Sequence, residues 1–372
     1  MSDLAESSVL SLTSPQLPVS WYFDPVIHEL ELKHLFKDGP GYVGHQLMVP
    51  EPGNYHALEM FEGAKMLVNG GAGVELLSNV CRHRQALMLK GRGKLPAGNI
   101  VCPIHRWTYD SQGQLLGAPG FSDNPCLNLN LNRTGLMNWQ GLLFAGERDV
   151  TADLAGMQAA RELDFSGFML DRVEVTHYAC NWKTFIEVYL EDYHVGPYHP
   201  GLGHFVTCDD LKWEYGDWWS VQTVGVNRGL SKAGSPVYRT WQDQVLAYQQ
   251  GKMPAHGSIW LTYYPGLMVE WYPHVLVVSS IVPTGVESCS NIVEFYFPED
   301  IVLFERAYIE AEQAAYRETA LEDEDICERM HQGRRALHQQ GLSESGPYQS
   351  PLEDGMRHFH AFLRRQIEPH LT

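Results

Sequence analysis

The sequence predicts an α+β protein in two parts: a small all-β domain, then an antiparallel sheet laid on long helices. Three observations predict it. From Gly41 to about Phe144, short apolar runs (YVGHQLMVP, AKMLVNGGAGVELLSN, GLLFAG) alternate with glycine-rich turns, with no long helical pattern between them. Beyond Thr151 come longer aromatic, β-rich segments: WWSVQTVGVN, SIWLTYYPGLMVEWY, VLVVSSIVP and NIVEFYFPED. Near Ile301 the stretch IVLFERAYIEAEQAAYRETA opens a helical pattern that continues past Asp323.

In chain order, residues 1–40 are a polar leader passing into the amphipathic segment IHELELKHLF, expected to pack on the second domain. Residues 41–150 form the β domain and 151–372 the second domain, with the boundary near 148–160. DLAGMQAARELD reads as a linker helix, and DRVEVTHYACNW as a strand handing over to a helix, TFIEVYLEDYH. HVLVVSSIV, His274 to Val282, is too short to span a membrane and reads as a buried strand.

With 372 residues the chain has room for two domains, and an apolar fraction of 44% with 10 tryptophans argues against disorder. A formal net charge of -18 argues against unaided binding to nucleic acid or an anionic membrane. The N-terminus lacks a basic then apolar leader, and seven cysteines are few and odd in number. A cytoplasmic protein with reduced thiols is expected.

Two constellations carry chemistry. The first is CRHRQ and CPIHRWTYD: C-x-H, eighteen residues, then C-x2-H, giving Cys81, His83, Cys102 and His105. Zinc is one reading, since two Cys and two His can close a tetrahedral site. A zinc finger, however, takes its cysteines from one loop and its histidines from a helix, whereas here each loop supplies one of each. That division suits a [2Fe–2S] cluster with two thiolates on one iron and two imidazoles on the other.

The second constellation is NWKTFIEVYLEDYHVGPYHPG, Asn181 to Gly201. His194 and His199 are five apart, and Gly196 and Pro197 are expected to break the helix so that His199 folds back towards His194. Two imidazoles plus one carboxylate form the facial triad of non-haem Fe(II) sites. Glu191, three residues before His194, shares its face if the segment is helical. Alone, the H-x4-H spacing is weak and fits a pair of structural histidines better.

Together the two motifs resemble the large (α) subunit of Rieske non-haem iron oxygenases over roughly residues 40 to 340. Gln85 and Arg106 stand where that family often has glycine, and Val188 replaces a frequent asparagine. No cysteine pair exists to bridge the cluster loops, which points to the oxygenase type rather than the quinol-oxidising type.

The resemblance implies an N-terminal Rieske [2Fe–2S] domain and a catalytic domain of helix-grip type. In ALEDEDICERMHQG, matching Cys327, Glu328 and Gly333 to the family's late helix selects Asp323 as the third iron ligand, with Asp325 the fallback. Glu322 and Glu324 read as solvated helix surface. By the same resemblance Glu191 is the bridge between centres, linking His194 to a cluster histidine of a neighbouring subunit, His105 by position. Cross-subunit transfer implies a homotrimer or a multiple of one.

The second domain is rich in aromatics. Trp218, Trp260, Tyr263 and Trp271 are candidate pocket residues, able to stack an arene or cage a quaternary ammonium. YYPGLMVEWYPHVLVV resembles the corresponding stretch of choline- and carnitine-type members. The chain has no dinucleotide fingerprint, P-loop or second cysteine cluster, so electrons from NAD(P)H are expected through a flavin/iron–sulfur reductase, with or without a ferredoxin.

The expected function is a terminal oxygenase component using O2, a Rieske cluster and mononuclear Fe(II) to hydroxylate or oxidatively demethylate a small organic substrate. Ring cis-dihydroxylation is the alternative. A non-catalytic Rieske electron carrier, or a zinc-stapled binding protein, is more distant.

Overall fold

The computed structural model describes residues 16–122, 128–227, 230 and 232–371. The first part of the leader and Cys126 lie outside them. By internal contacts the chain divides into two compact units, Pro40–Thr151 and the combination of Met1–Gly39 with Ala152–Thr372.

The described residues of Pro40–Thr151 form eleven short strands. β1 (Tyr42–His45), β10 (Met137–Trp139) and β11 (Leu142–Phe144) form one sheet, in the order β1-β11-β10. β2 (Asn54–Ala57), β3 (Lys65–Asn69), β4 (Val74–Ser78), β5 (Arg92–Lys94) and β9 (Arg133–Thr134) form a second, in the order β5-β2-β3-β4-β9. β6 (Ile100–Val101), β7 (Thr108–Tyr109) and β8 (Leu115–Gly117) form a third. Met66, Val68, Leu77, Ile100 and Tyr109 fill the core, and the thiols of Cys81 and Cys102 are buried in the same cluster.

The larger unit is a seven-stranded antiparallel sheet with helices, the helix-grip arrangement. Its strands are β12 (Phe168–Tyr178), β13 (Val206–Tyr215), β14 (Trp219–Val226), β15 (Ser258–Tyr263), β16 (Leu267–Tyr272), β17 (Val275–Gly285) and β18 (Ser288–Pro298). β13 to β18 run as a meander, and β12 returns beside β18. The period-2 alternation of a strand sends β15 side chains Trp260 and Thr262 to one face, and Ile259, Leu261 and Tyr263 to the other.

Among the described residues the α-helices are α1 (Pro25–Glu31), α2 (Val150–Asp153), α3 (Trp182–Tyr189), α4 (Val195–Tyr198), α5 (Pro236–Tyr248), α6 (Glu299–Phe304), α7 (Arg306–Gln339) and α8 (Asp354–Ile367). α2 begins two residues before Ala152, where the second unit starts. α7, the longest at 34 residues, turns a stripe containing Tyr308, Glu312, Ala315, Cys327 and His331 inward. The steps 308–312, 312–315 and 327–331, of three or four residues, are those of one helix face.

Several local expectations need correction. DLAGMQAARELD is not a continuous helix: Gly156 adopts φ +86, which ends helical geometry after α2, and only a 3-10 turn at Gln158–Arg161 follows. The helix before His194 stops at Tyr189, so Glu191 is not on it. Gly196 and Pro197 do not break a helix either. They sit in the first turn of α4, where proline costs no hydrogen bond, and His194 and His199 flank that single turn.

The NWK triplet is structural. Asn181 caps α3 by accepting from Lys183 N at 3.0 Å, and its amide donates to Tyr22 O and Val286 O. Trp182 Nε1 and Lys183 Nζ both donate to Glu31 of α1, at 2.9 and 3.0 Å. Lys183 and Glu31 are wholly buried. Removing one partner leaves the other charge stranded, so Lys183→Met should lower stability by about 3–5 kcal/mol. Chemical denaturation checks this, with the double variant carrying Glu31→Gln recovering most of the loss.

Candidate metal centres and substrate cavity

Cys81 follows β4 and Cys102 follows β6, each opening a loop of the same construction. Cys81 N donates to Ala86 O at 2.9 Å and Gln85 N donates back to Cys81 O at 3.1 Å. In the second loop Cys102 N donates to Trp107 O at 2.8 Å and Arg106 N to Cys102 O at 3.1 Å. Both loops turn through a left-handed residue at the same position, Gln85 at φ +54 and Arg106 at φ +63. Glycine would take that conformation without strain, and here side chains occupy it.

The loops bury both thiols and leave His105 exposed and His83 half-buried. The two imidazoles meet edge to face with centroids 4.7 Å apart, and His83 stacks on Trp107. Tyr109 Oη lies 3.7 Å from Cys81 Sγ and accepts from Arg82 N at 3.2 Å, which ties the two loops together. The four ligand atoms do not converge as they would around one zinc ion. Among the described residues only His194, His199 and Asp323 gather within ligand distance of a single point. Two buried thiols with two outward imidazoles fit a two-iron cluster rather than a single ion.

The second site lies in the larger unit. His194 Nε2 and His199 Nε2 are 3.0 Å apart, and Asp323 Oδ1 lies 3.0 Å from His199 Nε2 and 3.5 Å from His194 Nε2. Ligands at about 2.1 Å and right angles around a metal stand about 3.0 Å apart, so this trio fits a facial metal site. Both opposite ring nitrogens are held by carboxylates: His194 Nδ1 by Glu191 Oε1 at 2.6 Å, and His199 Nδ1 by Glu322 Oε2 at 2.7 Å. Burial opposes protonation of His194, but Asp323 and Glu191 override it and lift the imidazole to about 10. The site attracts positive charge, whether proton or metal.

Glu191 reaches His194 by a turn, its Oε2 also accepting from His194 N at 3.1 Å. Asp325 points elsewhere, bonded to Tyr198 Oη and, at 2.7 Å, to Arg329 Nε. Glu322 is not the solvated residue expected. Nothing in the run of four acidic residues marks it out, because the contact depends on where His199 lands. If Glu322 orients His199, Glu322→Gln should weaken iron retention about 10- to 100-fold, as read by chelator competition.

The trio opens onto a cavity of about 480 Å³, within the range of small-molecule sites. Of the four candidate pocket aromatics it is lined by Trp260 alone. Tyr263 points to the other face of β15 and donates to Asp153 Oδ2 at 2.6 Å. Trp271 likewise alternates away from its neighbours Glu270 and Tyr272, which do line the cavity, and packs on His256. Trp218 packs edge-on against Phe362 of α8. Cavity-facing polar groups were missed instead: Gln222, Glu270, Asn291 and Glu312. Among the lining residues Arg317 is the one Lys or Arg.

This architecture defines the class. Residues 40–128 match the Rieske [2Fe–2S] domain and residues 161–369 the catalytic domain of ring-hydroxylating α subunits, and the chain belongs to this family of Rieske oxygenases. Its cofactors are a Rieske cluster and a mononuclear iron that uses O2.

Among characterised relatives, the putrescine 2-hydroxylase of Ralstonia nicotianae is 60% identical over 99% of this chain and 100% of its own length. That of Bordetella bronchiseptica is 53% identical over 98% and 87%. The choline monooxygenase of Spinacia oleracea is 27% identical over 94% and 78%. In fold the chain is similar to a quaternary ammonium Rieske monooxygenase studied for carnitine oxidation and inter-subunit electron transfer, with a TM-score of 0.75, 20% identity and 96% of each chain covered. No helix among the described residues is long and apolar enough to cross a membrane.

Proposed function

We propose that this oxygenase hydroxylates a short aliphatic primary diamine such as putrescine. The chemistry of the cavity wall carries the reading. Asp192, Gln222, Asn291 and Glu312 line the cavity, and each keeps one buried side-chain oxygen without a hydrogen-bond partner. Buried acceptors left empty are costly, and a primary ammonium brings three donors and a positive charge to each end of a diamine. A quaternary ammonium brings none of those donors. The relatives named for putrescine, at 53–60% identity over nearly the whole chain, support the same reading.

Cys81, His83, Cys102 and His105 would hold the cluster, and His194, His199 and Asp323 the iron, whose bound chemistry is activation of O2. One oxygen atom enters a C–H bond, and the other leaves as water with two electrons and two protons. Glu191 holds His194 Nδ1 and offers the proton and electron path from a neighbouring subunit's cluster, in a homotrimer. A flavin/iron–sulfur reductase, with or without a ferredoxin, passes electrons from NAD(P)H. Glu322 fixes the ring of His199, and Trp260 closes the apolar side of the cavity.

The test is steady-state turnover with a heterologous reductase on putrescine, choline and naphthalene, with products identified by mass spectrometry. Hydroxylated putrescine with little product from the other two supports the reading. Oxidation of choline in preference to putrescine would refute it.

A further inference from the structure

The carboxylate of Glu270 lies inside the sheet. A strand residue flanked by Val269 and Trp271 is an unfavourable place for a charge, and this one is only 3% exposed. It belongs to a cross-strand row, Gln222–Trp260–Glu270–Val277–Phe295. Three hydroxyls donate to it: Tyr272 to Oε2 at 2.8 Å, Tyr316 to Oε1 at 3.3 Å and Ser279 to Oε1 at 3.4 Å. Trp260 Nε1 donates in turn to Tyr272 Oη at 3.0 Å. Among the described residues no Lys, Arg or His side chain pairs with Glu270.

Glu312 faces the same space from α7. It too is 3% exposed, and its Oε2 has no partner. Arg172 acts on Glu312 from β12, but its own ion pair, at 2.7 Å, is with Glu174. Burial is the main cause lifting both carboxyls, Glu270 to about 7, and the charge of Glu270 lifts Glu312 further. The pocket is short of positive charge.

Position along α7 gives the spacing. Glu312 and Asp323 are eleven residues apart, three helical turns, so they lie on one face about 16 Å apart along the axis. Tyr316, which touches Glu270, is seven residues from Asp323, about 10 Å along the same axis. In a four-carbon diamine presenting its second carbon to the metal, three bonds of about 1.5 Å and a hydrogen bond of about 2.8 Å carry the remote ammonium's reach to about 7 Å beyond that carbon.

Resting on the diamine reading above, we propose that Glu270 and Glu312 form the subsite that binds the ammonium remote from the oxidised carbon. The subsite makes the enzyme selective for diamines and sets which carbon faces the iron. The Tyr272, Tyr316 and Ser279 hydroxyls hold Glu270 in place before substrate arrives.

The experiment is calorimetric titration of the anaerobic, iron-loaded protein with putrescine, for wild type, Glu270→Gln and Glu312→Gln, with iron content and melting temperature measured on each. The expected result is a rise in Kd on the order of 10- to 100-fold in Glu270→Gln, and a rise in Glu312→Gln, with iron content unchanged. Wild-type Kd in both variants overturns the subsite while the diamine reading stands. Failure of wild type to bind putrescine at all sinks that reading, and the subsite with it. If Glu270→Gln does not fold, Glu312→Gln with wild-type Kd is sufficient to overturn the proposal.

Discussion

Glu191→Gln should abolish product formation, by at least about 100-fold, while both metal centres stay loaded. Glu191 is the carboxylate on His194 Nδ1, at 2.6 Å, and no other described acidic residue takes that position. Glutamine keeps the shape, and its amide can still hold the ring, but it carries neither the charge nor an exchangeable carboxyl proton. In the proposed account the cluster of this variant reduces normally and then fails to pass its electron on. Stopped-flow absorbance of the reduced cluster, mixed with O2 and putrescine, separates the steps. Slow cluster reoxidation with full iron content is the expected result. Loss of iron would instead assign Glu191 to orientation of the ligand alone.

Asp323→Ala should cost the mononuclear iron and all turnover, whereas Asp325→Ala should leave both nearly intact. The contrast rests on geometry. Asp323 Oδ1 faces both Nε2 atoms. Asp325 bonds Tyr198 and Arg329 at the exposed surface, where such pairs contribute little. Two irons per chain in Asp323→Ala against three in wild type, by elemental analysis, is the expected outcome. An unchanged count would place the metal elsewhere.

The two constellations could be picked out because each is local. Each candidate cluster loop is five residues from its cysteine to the bond that closes it, so its Cys and His lie close together in the chain. His194 and His199 flank one helical turn and are visible for the same reason, although the turn was not the broken helix that Gly196 and Pro197 suggested. Asp323 came from a pattern match along one helix.

The cavity was not legible, since its wall is assembled from β12, β14 to β18, α3, α5 and α7, far apart in the chain. In LMVEWY the aromatic residue Trp271 draws attention, yet alternation turns Glu270 and Tyr272 inward. Glu312 sits among the charged residues of a long helix, where a carboxylate normally faces water. α5 and α8 were not read from the sequence: α5 mixes Arg, Gln and Asp with its aromatics, and α8 carries two histidines and three arginines among its apolar residues.

A single-turnover reaction tests the account most directly. The wild-type protein, reduced and freed of donor, is mixed with putrescine and 18O2 while the EPR signal of the reduced cluster is followed. The account predicts loss of that signal together with a monohydroxylated diamine carrying one 18O atom. Reoxidation of the cluster with no labelled product, from protein holding its full complement of iron, would contradict it.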